Sequence, residues 1–303
     1  MNITGFTYCG FIQVPLMDRT IYFNGKFVPE NQVRISFEDR GFQFGDGVYE
    51  VIKVENGRAF ALYRHLRRLA RSLHGLDIRI SEDIDFGTVV RHLIQANSAS
   101  DGLIYIQITR GAAPRAHGFP KDSKPTVVAY SMPWNDITPK EFDAGASAII
   151  IPDERWGRCD IKSLNLLANV LAKQKAAQAE AAEALLERVG VGVLEGTSSN
   201  LFAVSGGNLV TAPSSPYILG GITREIILEL ADQLQLPIEE KALSKKQLLR
   251  SDEAFITNRG IAVLPLVTID DNIIGSGKPG PITRRLAFAY NELISKATDL
   301  EWL

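Results

Sequence analysis

Four short segments carry residues whose types and spacing could do chemistry. Lys162 stands in Asp160-Ile161-Lys162-Ser163-Leu164-Asn165, where a strand-like run gives way to a helical pattern. A lysine amine held partly out of water loses its preference for the ammonium form and becomes a nucleophile for carbonyl carbon. Gly220-Gly221-Ile222-Thr223-Arg224 opens another predicted helix. The free N–H groups and positive dipole end of such a terminus attract anions, and glycine lets a phosphate come close to the backbone. Glu195-Gly196-Thr197-Ser198-Ser199-Asn200 gathers small polar residues between two strands. Arg110-Gly111-Ala112-Ala113-Pro114-Arg115-Ala116-His117 sets Arg115 and His117 two apart. An extended backbone would put both on one side, able to clamp a carboxylate. Each segment also has a plain structural reading. These are a solvated surface lysine, a loop-to-helix joint with Thr223 in the capping region, a turn bonded to its own backbone, and a solvated loop.

The elements that must position these residues follow from periodicity. Ile21 to Val28 alternates around Asn24-Gly25, a dipeptide that tolerates positive φ and predicts a hairpin. Leu62, Leu66, Leu69 and Leu73 lie at helical spacing and predict a helix over 62–73 that ends near Gly75, followed by a helix over 86–96. Strands are expected at 103–109 and 126–130, giving the order β-α-α-β-β. A proline-bearing stretch without apolar periodicity places a linker at 136–143, between an N-terminal domain (18–135) and a C-terminal domain (144–303). The second half predicts a strand at 148–152, a helix from Ser163 to about Glu180, and short strands at 184–187, 192–194 and 201–204. Helices follow at 222–234 and 244–250, strands at 254–257 and 263–268, and a last helix at 282–297. The class is α+β with two domains, a smaller α/β N-terminal one and a larger strand-rich one. Residues 1–17 lack the marks of a secretory leader and read as an extension.

Composition narrows the function. A chain of 303 residues with 22% charged residues and a net charge of -2 offers no basic face for nucleic acid and no polybasic tail for a membrane. No apolar run reaches the length of a membrane span. Two cysteines far apart and four histidines without a His-x-x-x-His pair predict neither a disulfide framework nor a metal centre. A soluble, cytoplasmic protein with small-molecule partners is expected.

Taken together and in this order, the segments resemble the fold-type IV pyridoxal-phosphate enzymes, and most closely their D-amino-acid aminotransferase branch. The resemblance covers roughly residues 20 to 275. It rests on Glu38-Asp39-Arg40-Gly41-Phe42-Gln43-Phe44-Gly45-Asp46-Gly47-Val48-Tyr49-Glu50, Pro114-Arg115-Ala116-His117, the run from Arg158 to Leu167, and Glu195 to Asn200. It implies pyridoxal 5'-phosphate as cofactor, Lys162 as its Schiff-base lysine and Glu195 as the carboxylate on the pyridine nitrogen. Arg68, Ile222 and Thr223 match the phosphate-binding positions, and Leu219 matches the residue that packs on the ring. Tyr49, Arg115 and His117 match the trap for the substrate α-carboxylate. The implied reaction is ping-pong transamination between D-amino acids and 2-keto acids. A homodimer is implied, with the partner subunit donating Arg115 and His117.

One departure stands out. Where the D-amino-acid enzymes carry small hydroxyl residues against the phosphate, this sequence has Asn258 and Arg259. Arg259 could hold the phosphate, grip a second carboxylate, or pair with an acidic surface group. The same fold also serves aminodeoxychorismate lyases and branched-chain L-amino-acid aminotransferases; Arg115 with His117 favours the D-specific branch. Intact Lys162 and Glu195 argue against a non-catalytic ligand-binding homologue.

Overall fold

Asn24 and Gly25 adopt φ of 47° and 89°, the positive values that a two-residue hairpin turn demands, and so fold β1 (Thr20–Phe23) onto β2 (Lys26–Pro29). The computed structural model describes residues 19–297, 299 and 301, so the expected extension at 1–17 lies outside the described residues. Asp39 caps the short α1 (Arg40–Phe44) by accepting from the Gly41 amide, and its carboxylate also accepts the Thr109 and Thr126 hydroxyls at 2.9 and 2.6 Å. Next come β3 (Gly47–Glu55), β4 (Arg58–Ala59), α2 (Leu62–Gly75), α3 (Phe86–Ala96), β5 (Gly102–Thr109) and β6 (Thr126–Met132). Their strands form one antiparallel sheet in the order β2-β1-β6-β5-β3-β4.

The expected order β-α-α-β-β omitted β3, the longest strand of this sheet. Seven of its nine residues are buried, and burial on both faces weakens the alternation by which strands are read. It pairs along its length with β5, from Gly47 opposite Thr109 to Val54 opposite Gly102. Ile52, Leu62, Leu69, Leu93, Ile104, Ile106 and Ile108 form the core between this sheet and the two helices. Each such side chain contributes about 1.5–3 kcal/mol by leaving water.

The second unit contains α4 (Pro139–Ala144), β7 (Ala146–Pro152), α5 (Leu167–Gln178), β8 (Glu183–Arg188), β9 (Gly192–Gly196), β10 (Asn200–Ser205) and β11 (Asn208–Thr211). It continues with α6 (Ile222–Gln233), β12 (Ile238–Glu240), α7 (Lys245–Leu248), β13 (Glu253–Asn258), β14 (Ala262–Ile269), β15 (Asn272–Ile273) and α8 (Pro281–Lys296). The main path runs β12-β11-β10-β13-β14-β7-β8-β9, and β9 pairs again with β10 through Glu195 and Asn200. That single pairing closes the strands from β10 round to β9 into a ring, which covers the β9 edge where it meets β10 and leaves β12 as the outer strand.

Two boundaries differ from the sequence reading. Residues 136–143, expected as a linker, hold most of α4, which a Thr138–Glu141 capping box starts, and they belong to the second unit. The helix expected from Ser163 starts only at Leu167. The intervening residues are held extended by β3: the Tyr49 amide donates to the Lys162 carbonyl at 3.0 Å, and the Leu164 amide donates to the Gly47 carbonyl at 2.9 Å. Ile161–Leu166 therefore belongs to the first unit, although the chain on either side belongs to the second. Long-range pairing has overridden a local helical pattern here.

Candidate active site

Two groups of buried polar residues stand out, one in each unit. The first is organised by β3 and α2. Alternation along β3 sends Glu50 toward α2, where it is wholly buried and accepts from Arg68 Nε at 2.7 Å and Arg68 Nη2 at 2.8 Å. His65, one helical turn before Arg68, lies 2.8 Å from the same carboxylate through Nδ1. A carboxylate only accepts, so Nδ1 carries the proton. Burial by itself would raise the Glu50 carboxyl, but the charge and hydrogen bonds of Arg68, with those of His65, hold it well below the usual carboxylate range. Burial lowers His65, so its ring is neutral at pH 7.

Tyr49 points the other way and meets Lys162. The lysine is 8% exposed, with Nζ 4.2 Å from the centre of the Tyr49 ring, and its amide donates to the Ser72 hydroxyl of α2 at 3.2 Å. Backbone pairing to β3 and this contact to α2 therefore fix where the amine starts. Arg115 and His117 lie on an exposed loop, both against Phe44. The guanidinium carbon of Arg115 is 4.5 Å from that ring centre, and the imidazole centre is 5.6 Å away. The loop is braced from beneath by Arg40, which donates to the carbonyls of Ala116, His117 and Gly118. Tyr49 and Lys162 are thus brought together, while Arg115 and His117 each lie against Phe44.

The second group surrounds Glu195. Its carboxylate accepts from Arg155 Nη1, from Asn200 Nδ2 at 3.0 Å, and from the Leu219 amide at 3.3 and 3.2 Å. Burial pushes this carboxyl up to about 7, against the downward pull of the Arg155 charge. Leu219 contributes through its backbone as well as its half-buried side chain, because its carbonyl also accepts from Asn200 at 2.9 Å. Next to it, α6 begins at Gly221 with no side-chain cap, and Ile222 and Thr223 occupy its buried first turn. A Cβ at Gly221 would come within 2.0 Å of Asn200 Oδ1, so any other residue would push Asn200 off its bonds to Glu195 and Leu219. Thr257 pairs with Asn200 across the β10–β13 ladder, and directly opposite side chains share a face. Its hydroxyl is buried and has no hydrogen-bond partner among the described residues. An uncapped helix terminus, a glycine where a Cβ would clash and an orphaned hydroxyl suit an anion such as phosphate.

Asn258 serves its own turn: Oδ1 accepts from the amides of Gly260 and Ile261 at 2.8 and 3.0 Å, and Arg259 is half-buried within that turn. Sequence reasoning missed several residues of these groups. Arg68 was named but His65 was not, although the two at i, i+3 share a helix face, a signal that could have flagged His65 as its companion. Asp153, Arg155 and Arg188 gave no such signal, since Arg155 and its partner Glu195 are separated by several elements. Among the described residues no cluster of three or more His, Cys, Asp or Glu could hold a metal, and no helix is long and apolar enough to cross a membrane.

A buried lysine amine, an acidic group held by three donors and an anion-ready helix terminus are the parts a pyridoxal-phosphate enzyme needs. The comparisons agree. The family model for amino-transferase class IV matches residues 47–269. A D-alanine aminotransferase of Bacillus licheniformis is 44% identical over 280 residues, covering 92% of this chain and 98% of that protein. One of Staphylococcus haemolyticus is 40% identical over 285 residues, covering 92% and 99%. A branched-chain amino acid aminotransferase of T.th., solved with pyridoxamine 5'-phosphate, superposes with a TM-score of 0.85 at 25% identity, covering 95% of this chain and 97% of the other. The chain belongs to the class IV aminotransferases, with their fold-type IV architecture. Its cofactor is pyridoxal 5'-phosphate.

Proposed function

We propose that this enzyme transfers amino groups between D-amino acids, of the D-alanine and D-glutamate type, and 2-keto acids. The observation that carries the reading is a buried Lys162 and a buried, donor-held Glu195 in a chain so like D-alanine aminotransferases along nearly its whole length. When bound, the cofactor supplies an electron sink for the charge left on the substrate α-carbon. Lys162 would hold the cofactor through its ε-amine, and the same amine is the group placed to remove the substrate α-proton and return it. Glu195 presents a carboxylate to the ring nitrogen. Arg68 would bind phosphate, as would the first-turn amides of α6 at Ile222 and Thr223, and Leu219 would pack on the ring. Tyr49, Arg115 and His117 hold the substrate α-carboxylate, and that grip, relative to the lysine, sets stereochemistry. Incubation with D-alanine and 2-oxoglutarate should yield pyruvate and D-glutamate on chiral chromatography. Exclusive formation of L-glutamate would remove the D-specific assignment, and pyruvate released from aminodeoxychorismate without any keto acid would favour a lyase.

The working unit in this reading is a homodimer. Its support is exposed apolar surface: Phe42 of α1 is 79% exposed and Leu167 of α5 is 71% exposed, each with apolar neighbours. If the partner subunit supplies Arg115 and His117, Lys162→Ala and Arg115→Ala subunits, each inactive alone, should complement when reassorted. Every mixed dimer then holds one intact site, so random mixing should restore about a quarter of wild-type activity. No recovery in dimers shown by sedimentation to have exchanged subunits would place both residues in their own subunit's site.

A further inference from the structure

The buried charges behind Glu195 are more elaborate than a single ion pair. The Arg155 side chain is 6% exposed and spans two carboxylates. Its Nε and Nη2 fork onto Asp153 at 2.9 and 3.1 Å, its backbone amide donates to the same carboxylate at 3.1 Å, and Nη2 also reaches the Tyr217 carbonyl at 3.1 Å. Nη1 is left for Glu195. The Asp153 side chain is fully buried and is held from its other side by Arg188 at 2.9 Å, whose guanidinium lies 4.2 Å from the centre of the Tyr217 ring. The guanidinium of Arg155 is thus locked before it meets Glu195. The groups facing Glu195 are Arg155, Asp153 and Cys159 from the segment after β7, Asn200 from β10, and the Leu219 amide. Among the described residues, Arg155 is the cation that bonds it directly.

Three donors hold the carboxylate, Arg155 on one oxygen, Asn200 on the other and the Leu219 amide shared between both. A carboxylate can accept about four donors, so a ring N–H would be the fourth. A carboxylate and a pyridine nitrogen that share a proton have two arrangements: anion with pyridinium, or neutral acid with neutral ring. Burial favours the neutral pair, because both charges would leave water. A fixed guanidinium on the far side of the carboxylate favours the charged pair.

Resting on the function proposed above, we propose that Arg155 is a positioning residue that keeps Glu195 ionised, so that the shared proton resides on the cofactor's ring nitrogen. The Asp153 fork holds Arg155 in place for this task. The electron-withdrawing strength of the ring is then set by a residue that need not touch the substrate.

The test compares wild-type holoenzyme with Arg155→Met, which removes the charge, Arg155→Lys, which keeps it, and Arg188→Met, a control for general loosening. Each is loaded with pyridoxal phosphate labelled with ¹⁵N in the ring, and nitrogen protonation is read by NMR while infrared spectroscopy reads the Glu195 carboxyl against a Glu195→Gln reference. Wild type, Arg155→Lys and Arg188→Met should show a protonated nitrogen and an ionised carboxylate at about pH 8.5, above the range in which burial holds the Glu195 carboxyl. Arg155→Met should show neither, and its kcat should fall by about a hundredfold with KM little changed, the size of effect seen when one charge-stabilising donor is lost. A protonated nitrogen and ionised Glu195 in Arg155→Met would overturn the proposal. Should Arg155→Met fail to fold, Arg155→Lys decides: loss of nitrogen protonation there, with the charge retained, sinks it too. Failure of wild type to take up the cofactor at Lys162 would instead strike the parent reading.

Discussion

Lys162→Ala should lose the visible absorbance of the lysine-bound cofactor and all but a trace of transaminase activity, while keeping its fold. The side chain is nearly buried, and its amine rests on the face of Tyr49, a cation–π interaction worth about 0.5–2 kcal/mol. Its backbone bonds to β3 and α2 do not depend on the side chain, so the extended segment 161–166 should stay in place. Activity has more to lose. Removing a positioned general acid–base group costs roughly 10²–10⁴ in rate, and in the proposed reading the same amine also tethers the cofactor. Borohydride reduction followed by peptide mapping should label Lys162 in wild type and no residue in the variant. A variant that kept the full absorbance and was labelled at another lysine would move the assignment there.

Breaking the Glu50–Arg68 pair should produce the largest loss of stability from any single polar substitution in the first unit. Glu50 is fully buried and carries the two Arg68 bonds and the His65 bond; Glu50→Gln leaves Arg68 buried against a neutral amide. Removing one partner of a buried pair costs about 3–5 kcal/mol, because the remaining charge is uncompensated. The pH dependence has a definite sign. A carboxyl whose folded pKa is depressed contributes stability above its unfolded pKa, about 4.3, and loses it as pH falls toward the folded value. Wild type should therefore lose stability steadily below about pH 5, and Glu50→Gln should lose less over the same range. Urea unfolding at several pH values measures both. A difference under about 1 kcal/mol at pH 7 would mean that the pair behaves like a surface ion pair. Because Glu50 also orients Arg68, the variant's affinity for pyridoxal phosphate should fall, which connects this buried pair to the proposed phosphate site.

Much of the fold was legible because local physics agreed with the final structure. The helices 62–75 and 86–96 carry one apolar face each and end where their pattern ends. The Asn24-Gly25 hairpin needed only two residues that accept positive φ. Legibility failed where distant pairing decided the outcome. β3 is buried on both faces and so lost its alternation, and residues 163–166 look helical until β3 draws them straight. In the same way, the glycine pair before Ile222 marks a candidate anion site in the sequence, whereas Thr257 joins that candidate only through its pairing with Asn200.

By itself the sequence determined which residue types are present for the chemistry: an amine at 162, a carboxylate at 195, a glycine-opened helix at 222 and a guanidinium beside an imidazole at 115 and 117. These are properties of side chains and short spacings, so they survive without coordinates. Only the tertiary structure decided what surrounds them: Tyr49 against Lys162, His65 and Arg68 on Glu50, and Arg155 braced by Asp153 behind Glu195. The reason is physical. The charge state of a buried group depends on neighbours within a few ångströms, and those neighbours come from parts of the chain that no local pattern relates.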